Sequence, residues 1–349
     1  MINVKQLIED PRYLAYKLDL STEMVEFMPL VDNQLTESAW LNRDASRDAS
    51  AFVPLAEVLK FISSQPVRAN KPAKFIFHTA YCASTFLSRC LSVKGHSVSL
   101  REPQLLLDAA NAKRLQWRSK TCHLDFRHLP ALALRLLQKH SESNETLIIK
   151  PVNSVNNIIA ELLQANGQHT KAVMLYTDAR NFLLSTLKKG EEAKQRQRAM
   201  FDLLRCDFPH LSQLGLSDVL HLSDLKVCLT LWRLQLEQAD QVLAALGPKG
   251  FIGSLYAETL IQKPEEALLM VNGFLELGIN NEKLTEIANG DLTTQDAKNG
   301  HNPFSVSNRD AVYAKIEHFY GDDLINGYKW LTANNPSTSL MPTLSASIT

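Results

Sequence analysis

From residue 73 onward, short continuous apolar runs alternate with longer amphipathic stretches. Residues 75–77, 97–100, 146–150, 172–176 and 251–256 have the length of strands. Runs such as TLIIK (146–150) and AVMLY (172–176) lack polar alternation, as strands covered on both faces do. Helical spacing fills the intervals. It predicts helices over 156–164, over 180–189 with Leu183, Leu184 and Leu187 on one side, and over 224–246. The last of these has Asp224 near its start and Gly247 just past its end. Residues 104–139 read as mostly helical with a break near Pro130, and 263–277 as a helix opened by Pro264 and two glutamates. Repeated strand–helix alternation predicts an α/β fold, a parallel sheet flanked by helices.

The two ends read differently. Residues 1–72 form a separate layer or small subdomain, with a strand near 24–28 and an amphipathic helix over 51–62 whose first turn holds Pro54. The polar connector 63–72 marks the boundary to the main domain, 73–333. Residues 289–308 are loop-like, 311–331 suggest a closing helix pair, and the uncharged Ser/Thr/Pro-rich stretch 334–349 reads as a disordered tail.

Composition narrows the function classes. Lys plus Arg and Asp plus Glu both count 37 in 349 residues, so net charge is zero. That balance argues against bulk binding to nucleic acid or an anionic membrane. No run approaches a membrane span, and the acidic N-terminal residues carry no secretory pattern. The five cysteines lack metal-ligand spacing, which points to reduced thiols in a cytoplasm and to no metal. Homo-oligomers are compatible with all of this.

Chemistry concentrates in 74–91, KFIFHTAYCASTFLSRCL. A strand leads into a small-residue loop, and a helix opens at Ser84 and Thr85, so free N–H groups and a helix dipole meet there. On G-x-x-x-x-G-K-[ST], the positions read His78, Ala83, Ser84 and Thr85, without either glycine or the lysine. A C-x5-R loop from Cys82 would need arginine at 88, which is Ser88; Arg89 misses by one.

Taken in order, the pieces resemble the sulfotransferase family. Its 5′-phosphosulfate loop, P-K/R-S-G-T/S-T-x-L, is similar to Ala80, Tyr81, Cys82, Ala83, Ser84, Thr85, Phe86, Leu87, with Tyr81 in the cation's place and Ala83 in the glycine's. LREPQLLLD (100–108) resembles the segment after the second strand, where some members carry a glutamate base. IIKPVNSVNNIIAELL (148–163) resembles the family's v-x-K-x-p strand end, and VMLYTDARNFLLSTLKKG (173–190) its 3′-phosphate segment. Residues 251–279 resemble a further family segment, and the likeness spans roughly 73–335. The resemblance implies a P-loop-containing nucleoside triphosphate hydrolase-like fold. It also implies 3′-phosphoadenosine 5′-phosphosulfate as cosubstrate and a small hydroxyl- or amine-bearing acceptor.

Under that resemblance, residues 81–85 cradle the phosphosulfate, and Arg180 and Ser185 hold the 3′-phosphate. His301, Ser305 and Arg309 of a late polar loop are further phosphate ligands. Glu102 is the candidate base, kept extended by Pro103, with His78 as rival. Lys150, Arg89 and Arg101 are the candidate replacements for the loop cation, Lys150 foremost. Each has a plain structural reading beside it: Ser84 as an ordinary helix N-cap, Glu102 and Lys150 as strand-end surface groups, and Arg180 as part of a solvated helix face. Two other functions stay open: a P-loop-like small-molecule kinase, and a non-catalytic nucleotide-binding relative.

Overall fold

The computed structural model describes residues 3–31, 34–38, 41, 50–65, 71–118, 126–141, 144–211, 215–295, 297 and 303–348. Among them the strands form two sheets. β1 (Tyr13–Asp19), β2 (Met24–Pro29) and β3 (Ala51–Pro54) pair antiparallel in that order. β4 (Lys74–His78), β5 (Ser97–Arg101), β6 (Thr146–Lys150), β7 (Lys171–Tyr176) and β8 (Ile252–Tyr256) form the second sheet. It is parallel throughout, in the order β5-β6-β4-β7-β8. Every residue of β4, β5 and β6 is buried, which is why Phe75–Phe77 and Leu147–Ile149 read as unbroken apolar runs.

The chain leaves β4 toward one edge and β7 toward the other. The connections diverge between these neighbours, and the crevice outside their carboxyl ends is where such sheets take ligands. The loop 79–83 follows β4, and Thr177 and Asp178 follow β7, so both border that crevice.

The N-terminal layer packs against the main sheet. Leu14, Leu18, Val25 and Phe27 belong to the same continuous core as Phe75, Leu100 and Leu132. Polar ties reinforce the packing. Lys139 Nζ donates to the Leu7 carbonyl (2.6 Å), and the Leu18 N–H to Asp108 Oδ2 (2.8 Å). β1 escaped the hydrophobic pattern because a register irregularity between Ala15 and Lys17 buries Leu14, Ala15 and Tyr16 in succession, which destroys the alternation. Pro54, expected inside a helix, ends β3 in extended conformation and caps the helix Leu55–Ser64. Pro130 likewise starts the helix Leu129–Leu137 instead of breaking one. The closing helix pair is one helix, Val306–Asn334, of 29 residues.

The expected disordered tail is the largest departure. Residues 344–348 run along the outer edge of β8. The Ser254 N–H donates to the Ala346 carbonyl (2.7 Å) and the Ile348 N–H to the Ser254 carbonyl (3.0 Å). Leu344 and Ile348 are buried. Uncharged hydroxyl residues let this segment pair as a strand, and two apolar anchors fix it. Gly253 makes room: a Cβ there would lie 2.3 Å from Ile348 Cγ2.

Asp108 gives the layer contact a pH dependence. Burial lifts its carboxyl from 3.8 to about 6, against the hydrogen bonds from Leu18 and Gln104 that favour the ionised form. The folded state therefore binds this proton more tightly than the unfolded state. The contribution is fully present below the unfolded value and is lost as pH rises through the folded one. Asp108→Asn removes the titration. Its melting temperature, measured against wild type from pH 4 to pH 7, should gain about 2–5 °C over that range. A difference that stays constant with pH would contradict this.

Candidate functional site

The loop after β4 carries an unusual backbone. Tyr81 and Ala83 both have φ of 59°, and Ala83, with ψ of 22°, is left-handed. Two non-glycine residues in that region cost energy, and such strain concentrates at functional sites. Ala83, not a serine, occupies the helix N-cap, and Ser84 is the first residue of the helix Ser84–Cys90. Left-handed residues within such a turn aim successive N–H groups into one concavity, a nest for an anion. The N–H groups of Tyr81, Ala83, Ser84, Thr85 and Phe86 find no acceptor among the described residues. Ser84 and Thr85 are buried residues, 6% and 3% exposed, and their hydroxyls make no hydrogen bond there either. The buried Thr79 Oγ1 is also without a partner.

The loop is fastened from below. The Thr79 N–H donates to the Leu175 carbonyl (2.9 Å), which ties the loop to β7. Gln235 Oε1 accepts from the Ala80 N–H (2.9 Å) and from Asn153 Nδ2 (2.7 Å), and Asn156 Nδ2 donates to the His78 carbonyl (3.1 Å). The Cys82 thiol donates to the Thr79 carbonyl (2.9 Å) and is buried, a fastener with no nucleophile's exposure. His78 belongs to the same scaffold. Its Nδ1 lies 2.7 Å from the Thr79 carbonyl and its Nε2 3.0 Å from the Pro151 carbonyl. Both ring nitrogens therefore face backbone carbonyls of the loop scaffold.

Glu102 and Lys150 come together. β5 and β6 pair Arg101 with Lys150, and one residue on, Lys150 Nζ meets Glu102 Oε1 at 2.5 Å. The side chains are 1% and 10% exposed, so both lie in the interior and not at a solvated strand end. The Glu102 N–H donates to the Lys150 carbonyl (2.7 Å), which continues the ladder. Glu102 is not extended as expected; its φ is 54°. The residue before a proline is steered from the right-handed helical region, and here the ladder bond with the Lys150 ion pair holds it left-handed. Glu102 Oε2 has no partner among the described residues. Arg101 turns away from the crevice and donates to the carbonyls of Ser38 (2.6 Å) and Leu35 (3.2 Å). Burial, and then the nearby Arg89, draw its guanidinium down to about 10.

A cation does sit beside position 81, and it comes from elsewhere in the chain. Lys189 Nζ lies 4.7 Å from the centre of the Tyr81 ring. Gln197 donates to the Tyr81 hydroxyl (2.9 Å), and the ring packs edge-on against Phe182. Burial raises this phenol above its ordinary range, so it stays neutral. Sequence reasoning did not single out Lys189 as a partner of the loop. Gln235 left a better signal: it is a fully buried amide in the apolar stripe of the helix Asp224–Leu246.

The groups expected to hold a 3′-phosphate are all engaged. Arg180 forms a bidentate pair with Glu317 (2.5 and 2.7 Å), and the Ser185 hydroxyl meets the Tyr313 hydroxyl at 2.6 Å. Arg309 forms a buried fork with Glu258 (2.6 and 3.0 Å) and also meets Asp310, and these bonds raise its basicity further. Ser305 caps its helix through the Asn308 N–H. His301 lies outside the described residues.

A cavity of 320 Å³ is lined by Thr186, Lys194, Lys226, Cys228 and neighbouring groups, but by neither the loop nor Glu102 and Lys150. No helix among the described residues is long and apolar enough to cross a membrane, and no cluster of metal-ligating side chains occurs among them. No family model matches the chain, and no curated protein matches it. Among solved structures, a sulfotransferase domain from the curacin biosynthetic pathway is similar over 72% of this chain and 99% of its own, with 16% identity and a TM-score of 0.43. Sulfotransferase STF9 from Mycobacterium avium is similar over 75% of this chain and 81% of its own, with 12% identity and a TM-score of 0.38. At these scores neither likeness assigns a function.

Proposed function

We propose that this protein is a sulfuryl transferase that takes a nucleoside 5′-phosphosulfate as donor. The carrying observation is the row of unsatisfied N–H groups at Tyr81, Ala83, Ser84, Thr85 and Phe86, beside the two unpaired hydroxyls of Ser84 and Thr85 at the crevice. Backbone donors aimed at one point bind oxyanions and stabilise charge that develops on them.

The roles follow from the geometry. The cradle holds the phosphosulfate, with Ser84 and Thr85 donating to its oxygens. Lys150 orients Glu102, and Glu102 Oε2 is the oxygen left to accept a proton. In the transfer, the acceptor oxygen forms a bond to sulfur while the bond from sulfur to the bridging phosphate oxygen breaks. The acceptor proton passes to Glu102, and the electron pair stays on the nucleotide phosphate, where the cradle N–H groups meet it.

One observation favours a second reading, a nucleotide-binding relative without turnover: Arg180 and Arg309 are neutralised by carboxylates, and the loop has no cation of its own. Adenosine 3′,5′-bisphosphate should raise the melting temperature in a thermal-shift assay, and labelled sulfate should pass from donor to an acceptor panel. Binding without transfer would favour the second reading. Stabilisation by ATP–Mg²⁺ and not by the bisphosphate would overturn both and support a kinase.

Lys189 is the loop's borrowed charge in this account. Lys189→Met should raise the Kd for pyrophosphate roughly fivefold at low salt, and by less as salt screens an exposed lysine. An unchanged Kd in titration calorimetry would remove Lys189 from the site.

A further inference from the structure

At the exit of β7 the side chains of Arg180 and Ser185 and the N–H of Ala179 are all taken, and taken by the C-terminal part of the chain. The helix Ala179–Lys188 begins there. Its Asp178 cap accepts from the Asn181 N–H (2.8 Å) and from the Tyr256 hydroxyl (2.6 Å), so a buried carboxylate stands at the helix start. The Ala179 N–H donates to the Leu340 carbonyl of the tail (3.1 Å). Arg180 is held by Glu317, and Ser185 by Tyr313, both from the closing helix.

These contacts differ in strength. The Arg180–Glu317 pair is about half exposed, and pairs of that kind contribute little, so a phosphate could displace it. The tail is different. It is paired with β8 and anchored by Leu344 and Ile348 over Gly253. It cannot leave Ala179 without dismantling that edge. A phosphate at this spot would also face the charges of Asp178 and Glu317, with no backbone donor free at Ala179.

We infer that the donor is held by its 5′ end alone and gains nothing from a 3′-phosphate. Its class is a nucleoside 5′-phosphosulfate with a free 3′-hydroxyl, such as adenosine 5′-phosphosulfate. This rests on the cradle reading above and narrows it: the closing helix and tail act as a built-in filler where a 3′-phosphate would otherwise be recognised.

The test titrates pyrophosphate, adenosine 5′-monophosphate and adenosine 3′,5′-bisphosphate into the full chain by calorimetry. Pyrophosphate reads the cradle without the nucleoside. The two nucleotides should bind with Kd values within about threefold of each other. In Glu317→Gln, where Arg180 loses its counter-charge, the bisphosphate should gain about fivefold over the monophosphate. A bisphosphate that binds wild type more than about tenfold tighter than the monophosphate would overturn this inference and leave the cradle standing. Failure of all three ligands to bind would bring down the cradle, and this inference with it.

Discussion

Lys150→Met should lower the unfolding free energy by about 3–5 kcal/mol, because it strands the Glu102 carboxylate in the interior. Both side chains are nearly sealed from solvent, and the contact is 2.5 Å. Removing one partner of such a pair leaves a charge with no water and no counter-ion. Removing both leaves none, and replacing a buried pair by apolar groups is often close to neutral. Lys150→Met with Glu102→Leu should therefore recover most of the loss in urea unfolding. The double variant also divides architecture from chemistry. If Glu102 takes the acceptor's proton, the recovered protein should lose about two to four orders of magnitude in turnover, the usual contribution of a positioned base. Pyrophosphate binding should persist, since the cradle is built from backbone N–H groups in a different loop. A double variant as unstable as the single one would show that the pair is not the strain point described.

Deleting residues 335–349 should be the next most costly change. The segment buries Leu344 and Ile348 against β8, at about 1.5–3 kcal/mol for each side chain fully buried. The sum, about 3–6 kcal/mol, is an upper figure because the unfolded chain already hides part of this surface. The deletion also bares the edge of β8, and unpaired edges recruit other chains. The truncated protein should unfold at lower urea and self-associate with rising concentration. Gly253→Val should approach the same outcome at full length, because its Cβ collides with Ile348. A truncation with an unchanged urea midpoint and a monomeric elution profile would mean the tail contributes nothing.

The parallel sheet was legible because its strands are buried on both faces and therefore written as unbroken apolar runs. The same rule hid β1, where an irregular register spoils the period, and β3, which ends in a proline normally read as a helix start. The tail misled for a compositional reason. Ser, Thr and Pro without charge look solvated, and only the shape of β8 around Gly253 reveals their partner. At the site, chemistry-bearing residue types were readable and their pairings were not. Glu102 and Lys150 lie 48 positions apart in sequence, and nothing local joins them. Lys189 reaches the Tyr81 ring from a helix end 108 positions away, which leaves no motif for so distant a cation. Arg180 and Arg309 pair with Glu317 and Glu258, and an arginine in sequence shows its charge and not its carboxylate.

Amide NMR of the full chain with adenosine 5′-phosphosulfate tests the cradle most directly. The account predicts downfield shifts of the Tyr81, Ala83, Ser84, Thr85 and Phe86 N–H resonances as they find an acceptor, while Ala179 stays in place. Binding that leaves these resonances unmoved, or that shifts Ala179 instead, would contradict it.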